Sequence, residues 1–223
     1  MRVHRLIFWT PLSAAALALC VSGCFGTVAE IKHRHFLLQG APPAATPAAS
    51  LEPLPALGAL WVKDFQVDAV YDRAQLVHRR SPNEVWFSRD EVWAARAGRM
   101  LADAVARQWL AHTPFLAISR SAGEAPATYS LTGEITALEV VEAPPGGTAM
   151  AHLAWVLQLL DNRSGKTLGQ YVFDDTLPLE HAATVGAQVA AALDVLLSQA
   201  TLKAASDVRR DLLPRPSAAT ARP

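Results

Sequence analysis

Apolar and polar residues alternate along several stretches of the chain, which is the pattern of half-buried β-strands. The clearest stretch is TYSLTGEITALEVVE at residues 128–142. Its two faces differ in residue type, with Tyr129, Leu131, Ile135 and Ala137 on one and Ser130, Thr132, Glu134 and Thr136 on the other. Further strands are predicted at residues 35–39, 57–67 and 115–119.

Two pairs of strands are predicted to form antiparallel hairpins. The segments AQLVHRR and NEVWFS flank a turn at Ser81, Pro82 and Asn83. The segments MAHLAWVLQLLD and KTLGQYVFDDTL flank residues 162–165. Gly165 can adopt the positive φ that the second turn requires.

Two helices are predicted from apolar residues spaced about four apart. The first begins at Ser88, because Ser88 and Glu91 form the S-x-x-E pattern of a capping box. Its apolar stripe runs to about residue 111 and consists of Trp93, Ala97, Leu101, Val105 and Trp109. The second helix covers residues 182–205, with Val185, Val189, Ala192, Leu196 and Ala200 on its buried face. This order of elements predicts an α+β fold, a mostly antiparallel sheet with two α-helices packed on one face.

The N-terminus has the three parts of a secretory signal: Arg2 and Arg5, the apolar segment LIFWTPLSAAALAL, and small residues. The sequence VSGC, which ends at Cys24, resembles the bacterial lipobox, whereas Leu19 is too large to precede a cleavage at Cys20. The resemblance implies that residues 1–23 are removed and that Cys24 carries the lipid. The alternative is an ordinary secretory signal with two incidental cysteines.

Composition divides the remainder of the chain into three parts. Residues 24–56 hold the lipidated N-terminus, the first strand and a linker that carries five prolines. Residues 57–213 form the α+β domain, and residues 214–223 resemble a disordered tail. Phe25 follows the lipidated cysteine, which by the enterobacterial sorting rule implies the periplasmic face of the outer membrane.

Charge and motif content exclude several function classes. Removal of residues 1–23 leaves 18 basic and 20 acidic side chains, so nothing indicates a nucleic-acid partner. After Cys24 the body has no cysteine, which excludes disulfides and thiolate metal sites. Hydrolase, zinc-protease and phosphate-loop motifs are missing. We therefore expect no enzyme, no metal site and no cofactor; a hydrolytic site built from distant Ser, His and Asp residues stays open.

The body of the sequence resembles the ABC-type transport auxiliary lipoprotein family. The match is carried by Tyr71-Asp72-Arg73, by Gln75-Leu76-Val77 before Arg79-Arg80, by Phe87 at a strand end and by Trp93. FLLQG upstream and YSLTGEITALE downstream extend it. Where the family begins its first strand with an aromatic residue, this chain has His35-Phe36.

This resemblance implies a non-enzymatic lipoprotein of a mammalian-cell-entry (MCE) transport system. Such a protein docks the periplasmic end of the MCE assembly and helps phospholipid pass between inner and outer membranes, which maintains outer-membrane integrity. The expected partners are the membrane and an MCE-domain protein, with phospholipid and further copies of the chain as additional candidates. The alternative is an assembly lipoprotein for a secretion or lipopolysaccharide-export complex.

Five residues are candidates for contact with a partner. Arg73, His78, Arg79 and Arg80 form a basic cluster that could hold a phospholipid headgroup or an acidic protein. Trp86 could line an adjoining apolar rim. The alternative is that the cluster is a solvated strand end that prevents aggregation. Core packing is expected for Trp93 and Trp109.

Overall fold

The computed structural model describes residues 32–40, 57–123, 126–144, 146–179 and 186–212. The predicted signal peptide, Cys24, the proline-rich linker and the tail lie outside these ranges. The elements in chain order are β1 (Arg34–Phe36), β2 (Leu60–Val62), β3 (Gln66–Val67), β4 (Gln75–Ser81), β5 (Glu84–Trp93), α1 (Ala97–His112), β6 (Ile118–Ser119), β7 (Tyr129–Val141), β8 (Met150–Asp161), β9 (Thr167–Pro178) and α2 (Gly186–Leu212).

Strand β7 is the centre of a single sheet. Along one side it pairs antiparallel with β8 over nearly its whole length, and β8 pairs antiparallel with β9. Along the other side it pairs in parallel with β2, β3 and β4 in succession. Beyond these, β6 pairs with β2, while β5 and then β1 extend the sheet from β4. Among the described residues, β9 forms one edge of the sheet.

Both helices pack on one face of the sheet, which confirms the α+β prediction. Alternate residues of β8 point into this layer and are buried: Ala151, Leu153, Trp155, Leu157 and Leu159. The helices contact each other, and the Nε1–H of Trp109 donates to the carbonyl of Thr201 at 3.1 Å. Neither helix in the described part of the chain has the length and apolarity that crossing a bilayer requires.

Both hairpins form as predicted. Strands β4 and β5 pair across the two-residue turn of Pro82 and Asn83, and β8 and β9 pair across a turn in which Gly165 has φ of 69°. The strand predicted at 128–142 is confirmed as β7, whereas the three remaining predicted strands are too long. The segment at 57–67 divides into β2 and β3, and β1 ends at Phe36. Only two residues of 115–119 form strand β6.

The predicted capping box at Ser88 is wrong. Ser88 and Glu91 lie inside β5, which continues to Trp93 because its last residues pair with β1 and with Gln75. Helix α1 begins at Ala97, after an N-cap residue, Arg96, whose side chain makes no capping bond. Trp93 is therefore a buried strand residue, not a helical one. The rest of the predicted stripe is correct, because Ala97, Leu101, Val105 and Trp109 are all buried in α1.

Glu91 instead contacts the start of the other helix. Its side chain is buried, and its Oε1 accepts a hydrogen bond from the backbone N–H of Gly186 at 2.7 Å. Arg34 donates to the same carboxylate from β1. Negative charge at a helix N-terminus is favourable because the free N–H groups there carry partial positive charge. The first described turn of α2 is thus fixed by a residue almost a hundred positions earlier in the chain.

Candidate functional site

The five candidate contact residues lie on or next to the β4–β5 hairpin, but they are not equivalent. Strand β4 lies between β5 and β7, so the cluster at its end is not at the edge of the sheet. Successive residues of a strand point to opposite faces. His78 and Arg80 therefore share one face, and Arg79 lies on the other.

Arg79 is engaged in a buried hydrogen-bond network. Its Nε–H donates to Glu139 Oε1 at 2.8 Å, and its Nη2–H donates to the Tyr71 hydroxyl at 2.7 Å. The Tyr71 hydroxyl in turn donates to Glu139 Oε2 at 2.8 Å. Arg79 therefore completes an internal network and is a poor candidate for a contact residue.

The same network continues across the sheet through His152. The Nδ1 of His152 lies 3.2 Å from Glu139 Oε1, and its Nε2 lies 2.9 Å from Asp174 Oδ1. The four side chains Arg79, Glu139, His152 and Asp174 thus form a ladder of alternating charge across β4, β7, β8 and β9. No sequence pattern indicates this ladder, because its members become neighbours only when the strands pair.

Electrostatics within the ladder favour the charged forms. Burial alone would raise the pKa of Glu139, but hydrogen bonds from His152, Arg79 and Tyr71 outweigh it and lower the pKa to about 2. The hydrogen bond to Glu139 raises the pKa of His152, with a further contribution from Asp174. Burial, together with the bond to Glu139, raises the pKa of Tyr71 to about 12. The ladder thus favours the ionised form of the Glu139 carboxyl and the protonated form of His152.

His78 is buried beneath Trp86. The two rings stack with centroids 3.9 Å apart and planes 11° from parallel, and His78 is only 1% exposed. Neither of its ring nitrogens has a hydrogen-bond partner among the described residues. Burial lowers the pKa of His78. His78 therefore contributes a flat support for the indole instead of a surface charge.

Trp86 and Arg80 present the open surface of the hairpin. Trp86 is 37% exposed, and its Nε1–H donates to Glu142 Oε1 at 2.6 Å. Arg80 donates to the same carboxylate and to Glu84, both at 3.1 Å, while most of its side chain remains in solvent. The exposed indole of Trp86 thus lies beside the exposed guanidinium of Arg80. His78 supports the indole, and ion pairs with Glu84 and Glu142 hold the guanidinium.

The opposite face of the hairpin carries a second exposed aromatic residue, which was not among the five candidate contact residues. Phe87 is 38% exposed, and the guanidinium carbon of Arg73 lies 3.7 Å from the centre of its ring. Arg73 is held there by a 2.7 Å hydrogen bond from its Nε–H to the carbonyl of Val70. The adjacent pair Trp86 and Phe87 was the available signal, since two neighbouring aromatic residues on a strand must face opposite ways.

The Glu139–His152–Asp174 group is a cross-strand ladder in which both imidazole nitrogens contact carboxylates. No cluster of potential metal ligands is found within residues 32–40, 57–123, 126–144, 146–179 and 186–212. The exposed aromatic and arginine side chains are of the types that are common at protein interfaces.

The family model for the ABC-type transport auxiliary lipoprotein component matches residues 36–205. This range contains strands β2 to β9, helix α1, most of α2 and all five candidate contact residues. The chain belongs to this family. A search of the curated proteins finds no match to the sequence.

Solved structures share the fold of this auxiliary lipoprotein. A Xanthomonas campestris protein assigned to the family model DUF330 matches with a TM-score of 0.60 and 22% identity, over 72% of this chain and 92% of that one. An uncharacterized protein matches with a TM-score of 0.54 and 15% identity, over 71% and 95% of the two chains. At these identities the likeness establishes the fold and nothing more specific.

Membership defines the general role of the auxiliary lipoprotein. The family is a component of ABC-type transport and is not an enzyme family. The family model begins at Phe36, so the predicted lipidation residue Cys24 lies outside the match as well as outside the described residues.

Proposed function

We propose that this lipoprotein is the outer-membrane partner of an MCE-type lipid transporter. In this proposal acylated Cys24 anchors the chain at the periplasmic face of the outer membrane. The folded domain binds a periplasmic MCE protein and helps phospholipid pass between the two membranes. The observation that carries the proposal is the match of the transport auxiliary family to residues 36–205.

The contact surface that best fits such a role is the exposed part of the β4–β5 hairpin. We define the hairpin surface as the exposed side chains on both faces of the hairpin, with Arg80 and Trp86 on one face and Arg73 and Phe87 on the other. Tryptophan and arginine are enriched among the residues that contribute most to binding energy. The stacked support of His78 and the hydrogen bond to Glu142 hold Trp86 in one orientation, so little side-chain entropy is lost on binding.

Binding, not turnover, is the expected contribution of this surface. Arg80 and Arg73 are its two cations, which favours a partner with acidic side chains. His78 and Arg79, which the sequence suggested as contact residues, act as supports: one lies beneath Trp86 and the other bonds to Glu139.

The proposal can be tested by measuring the affinity of the full lipidated chain, held in nanodiscs, for the MCE protein encoded near it. Arg80→Glu should weaken binding, and more so at low than at high ionic strength, because surface charges are screened by salt. Trp86→Ala should weaken binding at least about tenfold if the indole is a central contact.

The matched control is Arg163→Glu, which reverses an exposed arginine in the β8–β9 turn, at the opposite end of β7 from the hairpin. It should bind like the unchanged chain. Equal binding by Arg80→Glu, Trp86→Ala and the control would move the contact elsewhere. No binding of the unchanged folded chain to any MCE protein, combined with capture of a secretin or an export barrel, would favour the assembly-lipoprotein alternative.

A further inference from the structure

His78 is a titratable residue in a closed and largely apolar site. On β4 it shares a face with the buried Leu76, and it lies opposite the buried Val140 of β7 and opposite Trp86 of β5. The indole of Trp86 covers the imidazole ring. Both ring nitrogens are buried and have no hydrogen-bond partner among the described residues. Buried polar atoms are usually paired, so this histidine requires an explanation beyond packing.

Two carboxylates act on His78 from neighbouring segments, Glu142 directly after β7 and Glu91 in β5. Their negative charge favours a protonated ring, but burial is the larger effect and lowers the pKa of His78. Neither carboxylate accepts a hydrogen bond from the ring. The positive charge of Arg80, on the same face of β4, is balanced by Glu142 and Glu84. The closed site therefore suits the neutral ring, because a protonated ring would bury two N–H donors without acceptors.

Trp86 controls the access of His78 to water and to an acceptor. It is the exposed member of the stacked pair, and its Nε1–H donates to Glu142 Oε1 at 2.6 Å. Glu91 is already bound to the start of α2, through the N–H of Gly186 at 2.7 Å. Movement of Trp86 away from the stack therefore opens the imidazole to solvent and frees an oxygen of Glu142 in the same step.

We propose that protonation of His78 releases Trp86 from the stack, which makes the β4–β5 hairpin an acid-sensitive switch. In the closed state the ring is neutral, and Trp86 lies flat on it and donates to Glu142. In the released state the ring carries a proton taken from solvent, and its two N–H groups bind water and the freed Glu142 carboxylate. No covalent bond other than this N–H forms or breaks.

The direction of the switch follows from the difference in proton affinity between the two states. A solvent-exposed imidazole has a pKa of about 6.5, and burial in the closed state lowers that of His78. The released state therefore binds the proton more tightly, so acid favours it. For a closed ring that stays neutral, the ratio of released to closed chains rises about thirtyfold from about pH 8 to about pH 5.

The indole N–H of Trp86 reports the switch directly by nuclear magnetic resonance. The test uses the full lipidated chain in detergent micelles with isotope-labelled tryptophan, and Trp86→Phe identifies the signal. As the pH falls from about 8 to about 5, the Trp86 signal should leave its hydrogen-bonded position. The Cε1–H signal of His78 should change with the same midpoint, because one event moves both.

Two variants assign the change to His78. His78→Phe keeps a flat ring that cannot be protonated, so the Trp86 signal should stay constant over this pH range. The matched control is His152→Gln, which removes the histidine on the opposite face of the sheet. It should leave the titration of the Trp86 signal as it is in the unchanged chain.

Three results would overturn the proposal: a Trp86 signal that is constant in the unchanged chain, one that titrates equally in His78→Phe, or different midpoints for Trp86 and His78. The comparison of midpoints needs only the unchanged chain, so it decides even where His78→Phe does not fold. Weaker binding of the MCE protein in acid is a consequence that rests on the proposed function. The resonance test does not use that protein, so its result stands apart.

Discussion

Gly98 decides how closely α1 can approach the strand layer. A Cβ atom at this position would lie 2.1 Å from the backbone oxygen of Phe65, which cannot swing aside as a side chain could. The N–H of Phe65 also donates to the carbonyl of Gly98 at 3.3 Å. The first turn of α1 therefore sits against the segment between β2 and β3, backbone to backbone.

The first prediction is that Gly98→Ala destabilises the fold. Helix propensity alone would favour alanine by about 1 kcal/mol. The clash with Phe65 should outweigh this gain and produce a net loss of roughly 1–3 kcal/mol, as overpacking usually does. Chemical denaturation of the two chains measures the difference. Equal or greater stability of the variant would show that α1 can shift without cost.

His152 links the last two strands to β7 by charge. It contacts Glu139 on one side and Asp174 on the other, and its pKa is raised above the ordinary value. A raised folded-state pKa means that the protonated ring stabilises the native state below the ordinary pKa near 6.5. That contribution declines as the pH rises through the folded-state pKa.

The second prediction follows from the direction in which the pKa of His152 is shifted. The difference in free energy of unfolding between the unchanged chain and His152→Gln should be largest at about pH 6 and should shrink towards about pH 9. A constant difference across this range would mean that the contacts of His152 do not depend on its charge.

The burial of individual apolar residues could be predicted from the sequence more readily than these polar contacts. The apolar stripe of α1 was read correctly from its spacing, because a helix fixes which neighbours share a face. No comparable spacing in the sequence marks Glu139, His152 and Asp174 as neighbours. Their contacts depend on the register between strands, and each strand could have paired in several registers before the sheet was known.

At the scale of elements, Glu91 joins the β5 strand to helix α2. Its carboxylate accepts from the Gly186 N–H and from Arg34, while Ser88 lies at 3.5 Å from the other carboxylate oxygen. The local S-x-x-E pattern predicted that Ser88 and Glu91 cap α1. Because β5 pairs with β1, both residues lie in the strand, and the Glu91 carboxylate binds the N–H at the start of α2 instead.

The third prediction distinguishes the predicted cap on α1 at Ser88 from the observed contact of Glu91 with α2. Ser88→Ala should change stability by less than about 1 kcal/mol, because its hydroxyl caps no helix. Glu91→Ala should cost about 1.5–3 kcal/mol, since it removes a charged hydrogen bond from a buried site. Thermal or urea unfolding distinguishes the cases. A larger loss for Ser88→Ala than for Glu91→Ala would contradict the observed placement of β5.

At the scale of the whole molecule, the class of fold was predictable and the order of strands was not. The two hairpins are local, so turn residues and alternation were enough to find them. The parallel contacts of β7 with β2, β3 and β4 join segments that are distant in sequence. No local pattern specifies such contacts, and the short strands β3 and β6 were correspondingly misjudged in length.

The fourth prediction concerns the anchor. Cys24→Ser should abolish lipid attachment and leave the chain at the inner membrane or soluble in the periplasm, because it lacks the acyl chains that would anchor it. Cys20→Ser is the matched control and should have no effect, since Cys20 is predicted to be removed with the signal. Metabolic labelling with palmitate reports both outcomes. Persistent labelling of the Cys24→Ser chain would contradict the lipoprotein assignment of that residue.

The central claim, that the hairpin surface binds an MCE protein, is tested most directly by photocrosslinking in living cells. A photoreactive phenylalanine analogue replaces Trp86 in one strain and Arg163, at the far end of β7, in a control strain. An ultraviolet-dependent adduct between the chain and the MCE protein is expected from position 86 and none from position 163. Equal adducts from both positions, or no MCE adduct from position 86 in a chain that is folded and membrane-bound, would contradict it.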